Sequence, residues 1–130
     1  MNYPESILIV EDEIHIRLML KKLFRDMGIE NILEAGDGLE GCKLYGKQPT
    51  DLVVMDINMP RMNGVDALKK ITSVDPDAIV VMLTSLGTRE AVEASAESGA
   101  YYYIRKDTPL SEMKSKFSGL FEEIFNEDPA

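Results

Sequence analysis

Five short apolar runs alternate with segments of helical period, and this alternation restricts the chain more than any other feature. The runs are Ile7–Val10, Asn31–Glu34, Leu52–Met55, Ala78–Leu83 and Tyr101–Ile104. The first, third and fourth are continuous stretches of Ile, Val, Leu and Met, as strands covered on both faces must be. The second is short and mixed, which suits a sheet edge. Strands that alternate with helices imply parallel βα units joined by right-handed crossovers. Five such units form a doubly wound α/β sheet, and in that class binding sites lie beyond the carboxyl ends of the strands.

The helical segments are legible in the same way. Ile16, Met19, Leu20, Leu23, Phe24 and Met27 recur at helical spacing, and Gly28 follows as a C′ stop. A shorter helix runs from Leu39 to Tyr45 and ends near Gly46. Val65, Leu68 and Ile71 mark a third, closed by Asp75–Pro76–Asp77. Glu90 to Glu97 is alanine-rich, with a weak apolar face, and Gly99 stops it. Leu110, Met113, Phe117, Leu120, Phe121 and Ile124 give the last helix a strong stripe. The Met and Phe positions are read as core.

The 130 residues suit one domain spanning 1–130, with its core at about 6–125. The net charge of −9 argues against a basic surface for direct nucleic acid binding. Cys42 is the single cysteine, so no internal disulfide forms, and it is read as a small core or boundary residue. No apolar run approaches the length of a membrane span. The expectation is a cytoplasmic protein with no membrane insertion.

The residues at the strand ends carry the chemistry. The first strand ends in Glu11 and Asp12, the third in Asp56, the fourth in Thr84 and Ser85, and the fifth leads to Lys106. Two charges about 4 Å apart repel by roughly 4 kcal/mol at an effective dielectric of about 20. A divalent cation relieves that repulsion. Mg²⁺ takes few carboxylates, several waters and a phosphoryl oxygen, so the set suits phosphoryl chemistry more than a structural cage. Asp56 is the best-placed nucleophile, with Lys106 to neutralise charge and the Thr84 hydroxyl to donate to a phosphoryl oxygen. Each residue also has an ordinary structural role. The run Glu11–Asp12–Glu13 can cap the helix that follows, Asp56 can cap a turn, Thr84 can cap the fourth helix, and Lys106 can be a solvated surface group. Together these ordinary roles leave the convergence of four strand ends unexplained. His15 lies off the apolar stripe of its helix and is read as exposed.

The segments ILIVEDE, LEAGDGLEG, DLVVMDINMPRMNG, VVMLTS and SGAYYYIRK, in that order, resemble the receiver domains of two-component response regulators, particularly the stand-alone chemotaxis (CheY-like) type. The resemblance covers about residues 6 to 125. It implies a flavodoxin-like receiver fold, a five-stranded parallel sheet of order 2-1-3-4-5 with five helices. It also implies a signalling switch rather than an enzyme, self-catalysing phosphoryl transfer to Asp56 and hydrolysis from it. By the resemblance Asp56 is the phosphoacceptor and Asp12 a direct Mg²⁺ ligand. Glu11 acts on the cation through water, and the backbone carbonyl of Asn58 is a further ligand. Thr84 is the switch hydroxyl, Lys106 the family's lysine, and Tyr103 the aromatic switch residue. The implied partners are a sensor histidine kinase or phosphotransfer protein, and an output protein on the face formed by the fourth helix, fifth strand and fifth helix.

Two alternatives stand beside this reading. A haloacid-dehalogenase-like phosphatase wants a second Asp two residues after its nucleophile, where this chain has Asn58. The other is a receiver fragment of a larger DNA-binding regulator, which the acidic residues at the end of the chain do not exclude. The chain also departs from the family pattern. Leu86 is apolar where a polar residue orients water, and is expected to slow loss of the phosphate. Asp107 follows Lys106 where proline is usual. A trans Lys106–Asp107 bond is therefore expected, with Thr108 or Asp107 capping the last helix, Pro109 in its first turn, and Lys106 still reaching Asp56.

Overall fold

The computed structural model describes residues 3–85 and 89–126. Five strands, β1 (Ser6–Val10), β2 (Asn31–Ala35), β3 (Leu52–Asp56), β4 (Val80–Thr84) and β5 (Tyr102–Arg105), alternate with five helices. These are α1 (Ile14–Asp26), α2 (Gly38–Lys47), α3 (Gly64–Val74), α4 (Arg89–Glu97) and α5 (Leu110–Phe125). All pairings are parallel and the order is β2-β1-β3-β4-β5. The fold class expected from the sequence is the one observed. The fourth strand starts at Val80 rather than Ala78, because the turn at Asp75–Asp77 runs on: Ala78 N–H donates to the Asp75 carbonyl at 3.1 Å.

Alternation along the strands divides the core in two. Ile7, Ile9, Leu52, Val54, Val81, Leu83 and Ile104 pack with Leu20, Leu23 and Phe24 of α1 and with Met113, Phe117 and Phe121 of α5. Leu8, Val10, Val53, Met55, Val80 and Met82 face the opposite way, onto Tyr45 of α2 and Ala67, Leu68 and Ile71 of α3. Side chains two apart share a face of a strand. The apolar runs lack polar alternation because both faces are covered. Phe24 and Phe117 meet edge to face, with ring centroids 4.9 Å apart, a geometry worth about 0.5–1.5 kcal/mol beyond the buried area.

Local signals set the helix ends. Met27 closes α1, and Gly28 takes φ +94°, a left-handed conformation that glycine adopts without a Cβ clash. The Asp37 carboxylate caps α2 by accepting from Glu40 N–H at 2.8 Å, and Asn63 Oδ1 caps α3 by accepting from Asp66 N–H at 2.9 Å. Each cap is worth about 1 kcal/mol.

The start of α5 corrects the sequence reading. Neither Asp107 nor Thr108 caps the helix. Pro109 is the N-cap, with φ −55° and ψ 144° and no side-chain cap bond. Asp107 is held elsewhere: the Arg105 guanidinium donates to both of its carboxylate oxygens, at 2.9 and 2.8 Å. A bidentate, charge-assisted pair outcompetes a single cap bond. Thr108 stands one residue before the N-cap position, in a turn where its N–H donates to the Arg105 carbonyl at 3.1 Å. No cis peptide bond occurs among the described residues, in accord with the trans Lys106–Asp107 expectation.

Candidate functional site

Strand alternation explains which polar groups meet. Ile7, Ile9, Val54 and Ile104 point to the α1/α5 face of the sheet. Two-residue steps beyond them fall on Glu11, Asp56 and Lys106. At the carboxyl edge these three converge. The Lys106 ammonium donates to Asp56 Oδ2 at 2.9 Å and to Glu13 Oε1 at 3.0 Å. It also lies 2.7 Å from Glu11 Oε1, off the hydrogen-bonding direction, so that oxygen has an ion contact without a directed bond. Glu11 and Asp56 are buried, and the Lys106 side chain is only 8% exposed. Asp56 is the last residue of β3 and Thr84 the last of β4, so both stand inside strands rather than after them.

Burial makes these charges costly, and the proton affinities record it. Glu11 is pushed up to about 7, chiefly by desolvation, against the pull of Lys106 and the Glu13 N–H. Asp56 is raised for the same first reason, with its contacts to Lys106 opposing. Lys106 moves up as well. Burial alone would lower it, but its contacts with Glu11, Asp56 and Glu13 prevail. One ammonium is thus shared among three carboxylates.

Asp12 completes the acidic set. One carboxylate oxygen from each of Glu11, Asp12 and Asp56 lies within 4.8 Å of the others. An octahedral Mg²⁺ with bonds of about 2.1 Å requires about 3.0 Å between adjacent ligands and about 4.2 Å between opposite ones, and a bridging water spans a longer gap. The cluster is of the size that one such ion with water among its ligands demands, and a cation there opposes the desolvation that raises Glu11 and Asp56. The donor set is all oxygen, as a hard divalent ion requires. Asn58 N–H donates to Asp56 Oδ1 at 3.3 Å.

Thr84 is buried, and its carbonyl accepts from Lys106 N–H at 2.8 Å. With Tyr103, Arg89, Val92, Glu93 and Arg105 it lines a cavity of about 420 Å³ between α4 and β5. Tyr103 is exposed and stacks on Tyr102, ring centroids 5.9 Å apart. His15 is exposed as expected, its ring 3.7 Å from the Glu13 carboxylate. Cys42 is half-buried on α2. Leu86 lies outside the described residues.

The sequence reading missed three contributors. Glu13 stands in the N-cap position of α1 without capping it through its side chain. Its backbone N–H is instead accepted by Glu11 Oε2 at 3.0 Å, while its carboxylate holds Lys106. Arg17 reaches back from α1 to the Glu11 carbonyl at 2.8 Å. Gly64 opens α3 directly on the acceptor strand: an added Cβ would strike the Asp56 carbonyl and come 2.8 Å from Ile57 Cα. The Asn63–Gly64 turn signalled the last of these. Nothing local signalled the other two, because Lys106 follows β5 and Glu34 lies in β2.

Residues 7–118 match the family described as response regulator receiver domain. The chain belongs to this family. It is 40% identical over 110 residues to the transcriptional regulatory protein PdtaR of Mycobacterium tuberculosis, covering 85% of this chain and 53% of that protein. The chain therefore spans about half the length of that relative. It is 36% identical over 126 residues to chemotaxis protein CheY-3 of Vibrio cholerae, covering 95% and 97% of the two chains. Among solved structures, a CheY-like receiver domain protein of Methanospirillum hungatei superposes with a TM-score of 0.86 at 26% identity, covering 95% and 98%. The CheX–CheY–BeF3–Mg complex of Borrelia burgdorferi contains a chain similar at TM-score 0.84 and 30% identity, covering 92% and 90%. Family membership places the chain among phosphorylation-dependent signalling proteins. No helix among the described residues is long and apolar enough to cross a membrane.

Proposed function

We propose that Asp56 accepts a phosphoryl group from the phosphohistidine of a sensor kinase or phosphotransfer protein, and that the modified domain changes its partner-binding surface. One observation carries this reading: the buried Asp56 carboxylate at the end of β3 is held 2.9 Å from the Lys106 ammonium and borders a three-carboxylate cluster. In the transfer an Asp56 carboxylate oxygen attacks phosphorus and an O–P bond forms. The N–P bond breaks and its electron pair returns to the imidazole nitrogen. Lys106 stabilises the charge on the phosphoryl oxygens.

Asp12 and Asp56, with the Asn58 carbonyl and Glu11 through water, would hold Mg²⁺. When bound, Mg²⁺ supplies charge neutralisation for the incoming phosphoryl group. The Thr84 hydroxyl then turns towards the phosphoryl oxygens, and Tyr103 moves from its exposed position into the cavity that both line. This is a population shift between two packed states. The output partner docks on α4, β5 and α5, a face that exposes Tyr101, Tyr102, Tyr103 and Leu110. Residues 1–130 act in this reading as one receiver domain.

The test is intact-mass measurement after incubation with acetyl phosphate. The wild type gains one phosphoryl group with Mg²⁺ and none in EDTA, and Asp56→Asn gains none. Equal labelling of the Asn variant overturns the assignment. The relation to PdtaR, of which the chain spans about half, favours a second reading as the receiver of a longer transcriptional regulator. Intact mass of the protein isolated from its source cells separates the two: a species well above 14.6 kDa supports the longer chain.

A further inference from the structure

We infer that Arg17 is a positioning residue for the acidic loop, acting through the peptide between Glu11 and Asp12; the inference rests on the proposed Mg²⁺-dependent reading of the site. Glu11 and Asp12 stand in the turn between β1 and α1. The Glu11 N–H is tied to the Ala35 carbonyl of β2 at 3.0 Å. The Glu11 carbonyl accepts from Arg17 Nη1 at 2.8 Å. That carbonyl belongs to the planar unit that ends at the Asp12 Cα, so holding the oxygen restrains the plane and the point from which the Asp12 side chain leaves. Asp12 is exposed, and no packing around it performs this task.

Arg17 is itself anchored. Its Nε donates to Glu34 Oε1 at 3.2 Å, and Lys21 Nζ donates to Glu34 Oε2 at 2.8 Å. The guanidinium is about one-fifth exposed, and Glu34 about one-quarter. The strut runs from α1 through β2 to the loop at the end of β1. A planar fork with rigidly placed donors spans these two acceptors, and a lysine ammonium cannot do so in the same geometry.

The sign of the effect distinguishes positioning from charge. Arg17 brings a cation near a cation site, so on electrostatics alone its removal tightens Mg²⁺ binding. As a positioning residue its removal weakens binding. Groups that orient metal ligands without touching the metal are typically worth 10–100-fold in affinity.

MgCl2 would be titrated calorimetrically into the wild type, Arg17→Met, Arg17→Lys, Glu34→Gln and the Arg17→Met/Glu34→Gln double variant, with thermal unfolding recorded in EDTA. Arg17→Met should weaken Mg²⁺ about tenfold and Glu34→Gln about threefold. Arg17→Lys should bind closer to Arg17→Met than to the wild type. The double variant should match Arg17→Met, because Glu34 acts through Arg17. Affinity unchanged within twofold, or tighter, in Arg17→Met overturns the inference, whatever its unfolding temperature. If Arg17→Met does not fold, an unchanged affinity in Arg17→Lys and Glu34→Gln overturns it equally. A wild type that binds no Mg²⁺ overturns the proposed function instead.

Discussion

The two ends of the carboxyl edge are built differently. At the β1–β3 end, Glu11, Asp56 and the Lys106 side chain are buried and cross-linked, and Arg17 of α1 and Glu13 at its N-cap bond to them. At the β4–β5 end, α4 buries only Ser95, β5 leaves three of its four residues exposed, and Tyr103 lies open beside a cavity. The difference follows from what each end has to do. Charges held out of water must be fixed in place, because an unpaired one costs several kcal/mol. A surface that changes shape must come from the weakly packed part of the fold, where rearrangement is cheap. The chemistry belongs to the braced end and the response to the loose one.

The strongest way to break this comparison is to crowd the braced end. Gly64→Ala forces a Cβ against the Asp56 carbonyl, backbone that cannot yield. It should cost about 2–3 kcal/mol in urea unfolding and impair phosphoryl acceptance. Val92→Ala, on the wall of the open cavity, should cost less than about 1 kcal/mol. Equal losses would remove the distinction.

Next in size is the pH response of the braced end. Glu11 is raised from 4.5 to about 7 in the fold, so folding favours its protonated form. Its contribution is fully present below about pH 4.5 and is lost as the pH rises through about 7. In EDTA the wild type should lose on the order of 2 kcal/mol between pH 5 and 8, and Glu11→Gln should flatten that slope. A slope unchanged in Glu11→Gln assigns the effect to another group.

Glu34 has the opposite sign and a smaller effect. Hydrogen bonding from Lys21, then contact with Arg17, lowers its proton affinity. Its contribution is present above the ordinary value of 4.5 and fades as the pH falls through the lowered folded value. Glu34→Gln should cost about 0.5–1 kcal/mol at pH 7, a difference that vanishes in acid. The smallest effect is expected at the loose end. Tyr103→Ala should change stability by no more than about 0.5 kcal/mol, since its ring is exposed. A large loss would show Tyr103 to be structural.

The sequence by itself determined the layered fold. Apolar runs of four to six residues, rich in Ile and Val and without polar alternation, are too short for buried helices and fit strands covered twice, and the helical stripes supply the covers. It also placed Glu11, Asp12, Asp56, Thr84 and Lys106 at one edge, because parallel strands all end on the same side. Strand ends were legible to within two residues, since hydrogen bonding and not side-chain polarity decides where a strand stops; Asp56 and Thr84 proved to be strand residues. The cap of α5 was misread because the Arg105–Asp107 pair competes with it. Only the tertiary structure decided that Glu13 shares Lys106, that Arg17 joins Glu11 to Glu34, and that Gly64 lies on the acceptor strand. Those contacts join residues from separate elements, and periodicity along one segment carries no information about its neighbour across the sheet.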